Sequence, residues 1–296
     1  MGRVREFYEG AVFRPPSEAY SLIVQTTIGC SHNKCRFCTN YREKQFRIKP
    51  LEQVYEDFDY ARKVIPSIPR VFLADGDALI RKTSDQLAIL AYIHKVIPEC
   101  QRVTSYASPR SILIKTPDEL RQIRQAGLTM LYLGLESGSD TVLAHVNKGV
   151  NQAQMLEAAQ KAHDAGFQLS VTAINGLGGR ALWEEHALET GRVLSIMKPE
   201  YIGLLTLMLR PAAPMYDEMM RGEFEIPNSD EILREIRLMV ASIDDEGCIF
   251  RANHVSNYVN LNGTLNKDRD AILKRIDHAL NGDIRLKPDR YRIDHL

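Results

Sequence analysis

The sequence predicts an α/β fold, a partial (β/α)6 TIM-like barrel followed by a C-terminal α/β extension. Three observations carry this. Six short apolar runs recur between residues 20 and 208 of the 296, and each leads through a polar loop toward a segment of helical spacing or capping. The runs are apolar on both faces, as parallel strands covered by helices must be. The repeat is regular, which suits an open or partial barrel better than a doubly wound sheet.

The first run is residues 20–27, and a loop with three cysteines follows it. Pro50 stands where a helix can start, and Leu51, Val54, Tyr55 and Phe58 repeat at helical spacing. Residues 70–75 form the second strand, with a helix from near Thr83 carrying Leu87, Leu90, Ala91 and Ile93. The third strand is 102–107. Thr116, Pro117, Asp118 and Glu119 then read as a capping box with proline at the first helical position, and Gly127 ends that helix. The fourth strand, 129–135, precedes a helix over 151–165 that Gly166 stops. The fifth, 168–174, precedes a helix over 184–197, and the sixth is 201–208. Beyond it the pattern changes to a helix near 230–244, a short strand at 248–252 and a helix near 268–280. The expected division is a barrel core over 1–216 and an extension over 217–296 packed on it.

Composition narrows the function classes. Lys plus Arg equals Asp plus Glu at 38 each, so the net charge is about zero. That disfavours a nucleic-acid partner without excluding one, since a local basic patch suffices for phosphate. No apolar run approaches the ~20 residues needed to span a bilayer, so no membrane partner is expected. Residues 1–18 lack the apolar core of a secretory signal, and the expected location is cytoplasmic. Three of the five cysteines, Cys30, Cys35 and Cys38, fall within one short loop, which argues for metal binding over a disulfide framework.

The loop spacing is C-x4-C-x2-C, and three readings compete. Structural zinc wants four protein ligands; His32 could be the fourth, but it lies only two residues from Cys30. A plant-type [2Fe–2S] centre shares this spacing and adds a distant fourth cysteine, here Cys100 or Cys248. The third reading is a [4Fe–4S] cluster with three protein thiolates and one iron open to a ligand, by the logic of a catalytic metal with a vacant position. A loop after the first strand would sit at the C-terminal mouth of a barrel, where such folds place chemistry.

With this loop and the aromatic Phe37 between its last two cysteines, the chain resembles the radical-SAM superfamily. The usual family spacing is C-x3-C-x2-C, so this chain has one extra residue in the first gap. The ends of later strands extend the resemblance. Asp75, Gly76 and Asp77 follow the second strand, where the family has a Gly-Gly-Glu-like stretch that meets the methionine amino group of S-adenosylmethionine (SAM). Tyr106, Ser108, Pro109 and Arg110 follow the third, with Tyr106 replacing an acid found in some relatives. The segment 133–140 with Asn147, Lys148 and Gly149 resembles that of the oxygen-independent coproporphyrinogen oxidase and Elp3-like group. There Glu136 and Ser137 would face the cofactor, and Lys148 would pair the SAM carboxylate. Thr172, Asn175 and the glycines after it would lie near adenine or ribose.

The resemblance covers residues 20–216 and implies the chemistry. A [4Fe–4S] cluster reductively cleaves SAM to methionine and a 5′-deoxyadenosyl radical, which abstracts hydrogen from a substrate, here expected to be a small molecule. Flavodoxin or ferredoxin is the expected electron donor. The implied cofactor-binding residues are Phe37, Asp75, Gly76, Asp77, Ser108, Glu136, Ser137, Lys148, Thr172 and Asn175. In the extension, His254, Asn257 and Tyr258 lie in a stretch dense in hydrogen-bonding groups and are candidates for substrate contact or hydrogen donation. Cys248 reads as a small buried hydrophobe and Cys100 as inert. Two alternatives stay open: a non-catalytic iron–sulfur electron carrier or redox or iron sensor, and a tRNA-modifying enzyme of the same superfamily.

Overall fold

A computed structural model describes residues 7–288; the first six residues of the N-terminal stretch considered above lie outside them. The chain forms two compact units. One comprises Met1–Asn33, Asn40–Tyr132 and Lys161–Gln168, the other Lys34–Thr39, Leu133–Gln160 and Leu169–Leu296.

In the first unit β1 (Leu22–Gln25) runs into a two-residue strand, β2 (Thr27–Ile28), paired antiparallel with β3 (Arg47–Ile48). This small ladder brackets the cysteine-bearing excursion. Helix α1 (Leu51–Val64) follows, burying Val54, Phe58 and Ala61 on one stripe. Strand β4 (Arg70–Ala74) is solvent-free from Val71 onward, and α2 (Thr83–Val96) follows it. Next come β5 (Arg102–Ala107), a short α3 (Pro109–Leu113), α4 (Pro117–Gln125) and the start of β6 (Leu128–Glu136). Strands β1, β4 and β5 pair parallel in the order expected of successive βα units. The capping box at Thr116 and Glu119 is present, and a second, at Ser108 and Ser111, starts α3.

The second unit holds the end of β6, α5 (Asp140–His145), α6 (Gln152–Asp164, whose last turn belongs to the first unit) and β7 (Gln168–Asn175). Helix α7 (Trp183–Met197), β8 (Tyr201–Thr206), α8 (Pro214–Met220) and α9 (Ser229–Ser242) follow. The extension then gives β9 (Ile249–Ala252), β10 (Leu261–Thr264) and α10 (Arg269–Leu280). Strand β9 continues the sheet parallel to β8, with Ile202 opposite Phe250, and β10 closes it antiparallel to β9. The main sheet has eight strands, β1 and β4 to β10, in chain order.

The α/β class with a parallel sheet is as expected. Burial on both faces holds for β4, but in β7 and β8 it alternates. Thr172 and Ile174 of β7 and Gly203 and Leu205 of β8 stay partly accessible. The sixth strand, expected over 201–208, is β8 and ends at Thr206, whose N–H and hydroxyl bond to Ser256 and Asn257. Among the described residues no helix is long and apolar enough to cross a membrane.

Candidate functional site

In the first unit, the loops after β1, β4 and β5 are tied to one another by two aspartates. Asp75 is fully buried. Its Oδ2 accepts from Gly29 N–H at 3.0 Å, Gln25 Nε2 at 3.0 Å and Lys44 Nζ at 2.8 Å. Its Oδ1 has no hydrogen-bond partner. A buried carboxylate oxygen left unpaired is costly, so this atom has capacity for one more donor. One oxygen of Asp75 thus goes to Lys44, and the other is left for the ligand ammonium expected from the sequence.

Gly76 passes directly behind Cys30. Its N–H donates to Gly29 O at 3.1 Å. A Cβ there would stand 3.0 Å from Cys30 Cβ and 2.8 Å from Tyr41 Cε2, so only glycine lets the backbone come this close. Asp77, also fully buried, accepts from the Ser31 hydroxyl within the cysteine loop and from Ser108 N–H at 3.1 Å and Oγ at 2.8 Å. Burial pushes its carboxyl up against the lowering effect of the serine bonds. Asp77 and Ser108 thus fasten the cysteine loop and the start of α3. Arg81 is buried too, and its guanidinium donates to Thr26 O and Lys49 O.

In the second unit, Cys38 N–H donates to Cys35 O at 3.3 Å, closing the turn that carries both cysteines. Phe37, partly buried, packs on a core of Val142, Val146, Leu177, Leu207 and Met215. Arg36 bonds through its backbone to Val146 O and Met215 N–H and through its guanidinium to His145 O and the Glu218 carboxylate. The segment is therefore clamped by α5 and α8. None of the five cysteines is in a disulfide. Burial pushes the Cys100 and Cys248 thiols up, the latter helped by Asp245, so neither is a ready thiolate.

Glu136 ends β6 at φ +64, a left-handed conformation that a glutamate adopts only under constraint. Ser137 N–H closes on Leu135 O at 2.8 Å, a tight turn centred on Glu136; its carboxylate Oε1 accepts from Lys148 Nζ at 2.8 Å, in space that a Cβ on Gly134 would fill. Ser137 is fully buried, its hydroxyl 2.7 Å from His186 Nδ1. Asn175 is fully buried at the end of β7; its Nδ2 donates to Leu205 O at 3.0 Å, while its Oδ1 has no partner. Thr172 lies on the partly accessible face of the same strand.

In the extension, the Asn257 amide bonds to the Thr206 hydroxyl at 2.9 Å and donates to Leu204 O at 2.8 Å. It and Tyr258 are 1% and 3% exposed, so both are packed into the unit. His254 is half-buried against Ser256, and burial, with Lys287 second, lowers its pKa. Of these three, His254 retains the accessibility that substrate contact needs. Lys44, Ser31, Arg81, His186 and Glu235 carry no signal in the sequence, because each meets at least one partner more than thirty residues away.

The donor set fits an iron–sulfur cluster. Three cysteines outside any disulfide lie in one loop, a glycine clears space behind Cys30, and an adjacent buried carboxylate has an unused oxygen. Among the described residues no three His, Cys, Asp or Glu side chains gather as around a single ion. A cubane takes one thiolate at each iron, so its ligands need not share a point.

A cysteine-loop centre set after the first strand of a βα array belongs to the class of iron–sulfur α/β enzymes. The family model for the radical SAM superfamily matches residues 24–190, and the chain belongs to that superfamily. Membership of that superfamily gives the chain a [4Fe–4S] cluster and SAM as its cofactors. A curated relative, the heme chaperone HemW of Bacillus subtilis (strain 168), is 18% identical over 226 residues, covering 74% of this chain and 58% of the relative. The chain thus spans less than two-thirds of that relative's length. Among solved structures, methylornithine synthase (PylB) matches 93% of this chain and 84% of its own at TM-score 0.54 and 15% identity. Coproporphyrinogen III oxidase (HemN) of Escherichia coli matches 75% of this chain and 51% of its own at TM-score 0.55 and 15% identity. At these identities the likeness is one of fold.

Proposed function

We propose that Cys30, Cys35 and Cys38 each bind one iron of the [4Fe–4S] cluster and leave the fourth iron for SAM, and that the enzyme takes a hydrogen atom from a small-molecule substrate. The observation that carries this reading is the extent of the family match, residues 24–190, which takes in the three cysteines and the strand-end residues through Asn175. Bound there, cluster and SAM would supply a one-electron reductive cleavage yielding methionine and a 5′-deoxyadenosyl radical.

The chain's own residues bind, orient and shield. Asp75 Oδ1, Asp77 and the Gly76 backbone are the proposed acceptors for the amino group of SAM, since an ammonium is best held by charge-assisted bonds. Lys148, already held by Glu136, is the proposed partner of the SAM carboxylate. Ser108, Ser137, Thr172 and Asn175 are proposed along the nucleoside, where the unpaired Asn175 Oδ1 accepts a hydroxyl or amine. Phe37 walls the cluster from water. His254 is the proposed substrate contact, with Asn257 and Tyr258 holding its loop. We assign residues 1–216 to the catalytic core and 217–296 to an extension that shapes the substrate side. A flavodoxin or ferredoxin, and with it a cytoplasmic setting, is the proposed electron source.

The test is anaerobic reconstitution with iron and sulfide, then dithionite and SAM, with 5′-deoxyadenosine measured by mass spectrometry. Product that requires all three cysteines supports the reading. A fully loaded cluster that forms none overturns it.

A further inference from the structure

A buried polar network in the second unit uses groups that the proposed chemistry does not. His186, on α7, and Glu235, on α9, are both fully buried. His186 Nε2 lies 3.0 Å from Ile174 O, which can only accept, so Nε2 carries the proton. Nδ1 is then an acceptor, and the Ser137 hydroxyl at 2.7 Å donates to it. Ser137 Oγ in turn accepts Ser139 N–H at 3.1 Å. One turn along α7, Thr190 Oγ1 accepts Gly138 N–H at 2.9 Å. The loop 137–139 is thus hung from α7.

The loop after β7 is hung from α9 in the same way. Glu235 Oε1 accepts Gly176 N–H at 2.6 Å. The same oxygen lies 3.5 Å from His186 Nε2. Burial lowers His186 to about 4 and raises Glu235 to about 8, so at neutral pH this is a neutral imidazole beside a carboxylic acid, not an ion pair. Gly176 sits at φ +82, and a Cβ there would meet Ile232 of α9 at 2.8 Å, so the loop lies flat on that helix.

We infer that His186 and Glu235 are positioning residues that hold the loops after β6 and β7 in fixed spacing, so that helix α9 of the C-terminal extension sets the affinity for SAM. The inference rests on the reading that these two loops carry the nucleoside side of SAM. A rigid pair of loops binds without first being ordered, and freeing one costs affinity before it costs chemistry.

The test uses the reconstituted holoenzyme. For Glu235→Ala, the KM for SAM should rise on the order of tenfold, as expected for losing one buried acceptor, with kcat for 5′-deoxyadenosine formation within about twofold. Glu235→Gln keeps a neutral acceptor for Gly176 N–H and should restore the wild-type KM. Thr190→Val, nearly isosteric, frees Gly138 N–H without emptying the core and should raise KM severalfold, so the inference is decided even if Glu235→Ala fails to fold. Amide exchange at 137–139 and 176–179 in the cluster-free chain should quicken in the same variants. An unchanged KM in Thr190→Val, or a Glu235→Gln enzyme as impaired as the alanine variant, overturns the inference. Wild-type holoenzyme that makes no 5′-deoxyadenosine overturns the underlying reading instead.

Discussion

Replacing Gly76 by alanine tests the packing behind the cysteine loop. The added methyl would stand 2.8 Å from Tyr41 Cε2 and 3.0 Å from Cys30 Cβ. Carbon atoms prefer about 3.5–4.0 Å, so both neighbours must retreat by roughly half an ångström or more. Tyr41 is 6% exposed and backed by Phe13, ring centroids 5.5 Å apart, so the yielding side is Cys30. Overpacking of this kind costs about 1–3 kcal/mol. For a chain this size that lowers the Tm of the cluster-free protein by roughly 2–5 °C. Displacement of Cys30 should also cut the iron and sulfide recovered per chain. Gly203→Ala is the control, because its Cβ would meet nothing closer than 3.9 Å. Full iron content with an unchanged Tm in Gly76→Ala would show that Gly76 does not set the position of Cys30.

Serine at Cys30, Cys35 or Cys38 should abolish iron retention, whereas serine at Cys100 or Cys248 should leave the iron-to-protein ratio intact; elemental analysis after anaerobic desalting decides it. Lys44→Met strips the buried Asp75 of its ammonium, and breaking a buried pair of this sort should cost about 3–5 kcal/mol in urea denaturation. A loss below about 1 kcal/mol would mean that the pair contributes no more than a solvent-exposed one. Glu235, pushed up to about 8 in the folded chain from an ordinary 4.5, binds its proton more tightly folded than unfolded. Its contribution is therefore complete below about pH 4.5 and lost as pH rises toward 8. Glu235→Gln should match wild type in stability near pH 4.5 and exceed it at pH 8, and parallel stability–pH curves would refute the assignment.

Local signals carried the fold a long way. Pro50, the Thr116–Glu119 box and Gly166 mark helix ends because capping and left-handed turns are decided within four residues. The six strands follow from apolar runs of the right length. The ladder of Thr27–Ile28 with Arg47–Ile48 escaped notice, since two-residue strands have no periodicity to read. Strand β10 escaped because Leu261–Thr264 contains asparagine and glycine and is specified by its pairing with β9. At the candidate site, the sequence itself offers the cysteines and the Asp75-Gly76-Asp77 turn as candidates. What holds them is not legible there: Lys44 reaches Asp75 from 31 residues away, and His186 meets Ser137 across 49. Asn257 looked like a reactive group in a polar stretch, but its amide is spent fastening β8, a tertiary fact that polarity alone does not encode.

One guanidinium gives the cysteine excursion a defined base. Arg81 grips the carbonyls of Thr26 and Lys49, and Lys49 N–H closes on Thr26 O at 3.2 Å, so both feet of the loop are knotted at a single spot. Slack created when iron departs is then confined to the span between those feet. Loading and loss of iron would then fall to that span, with the strands on either side held by the same guanidinium.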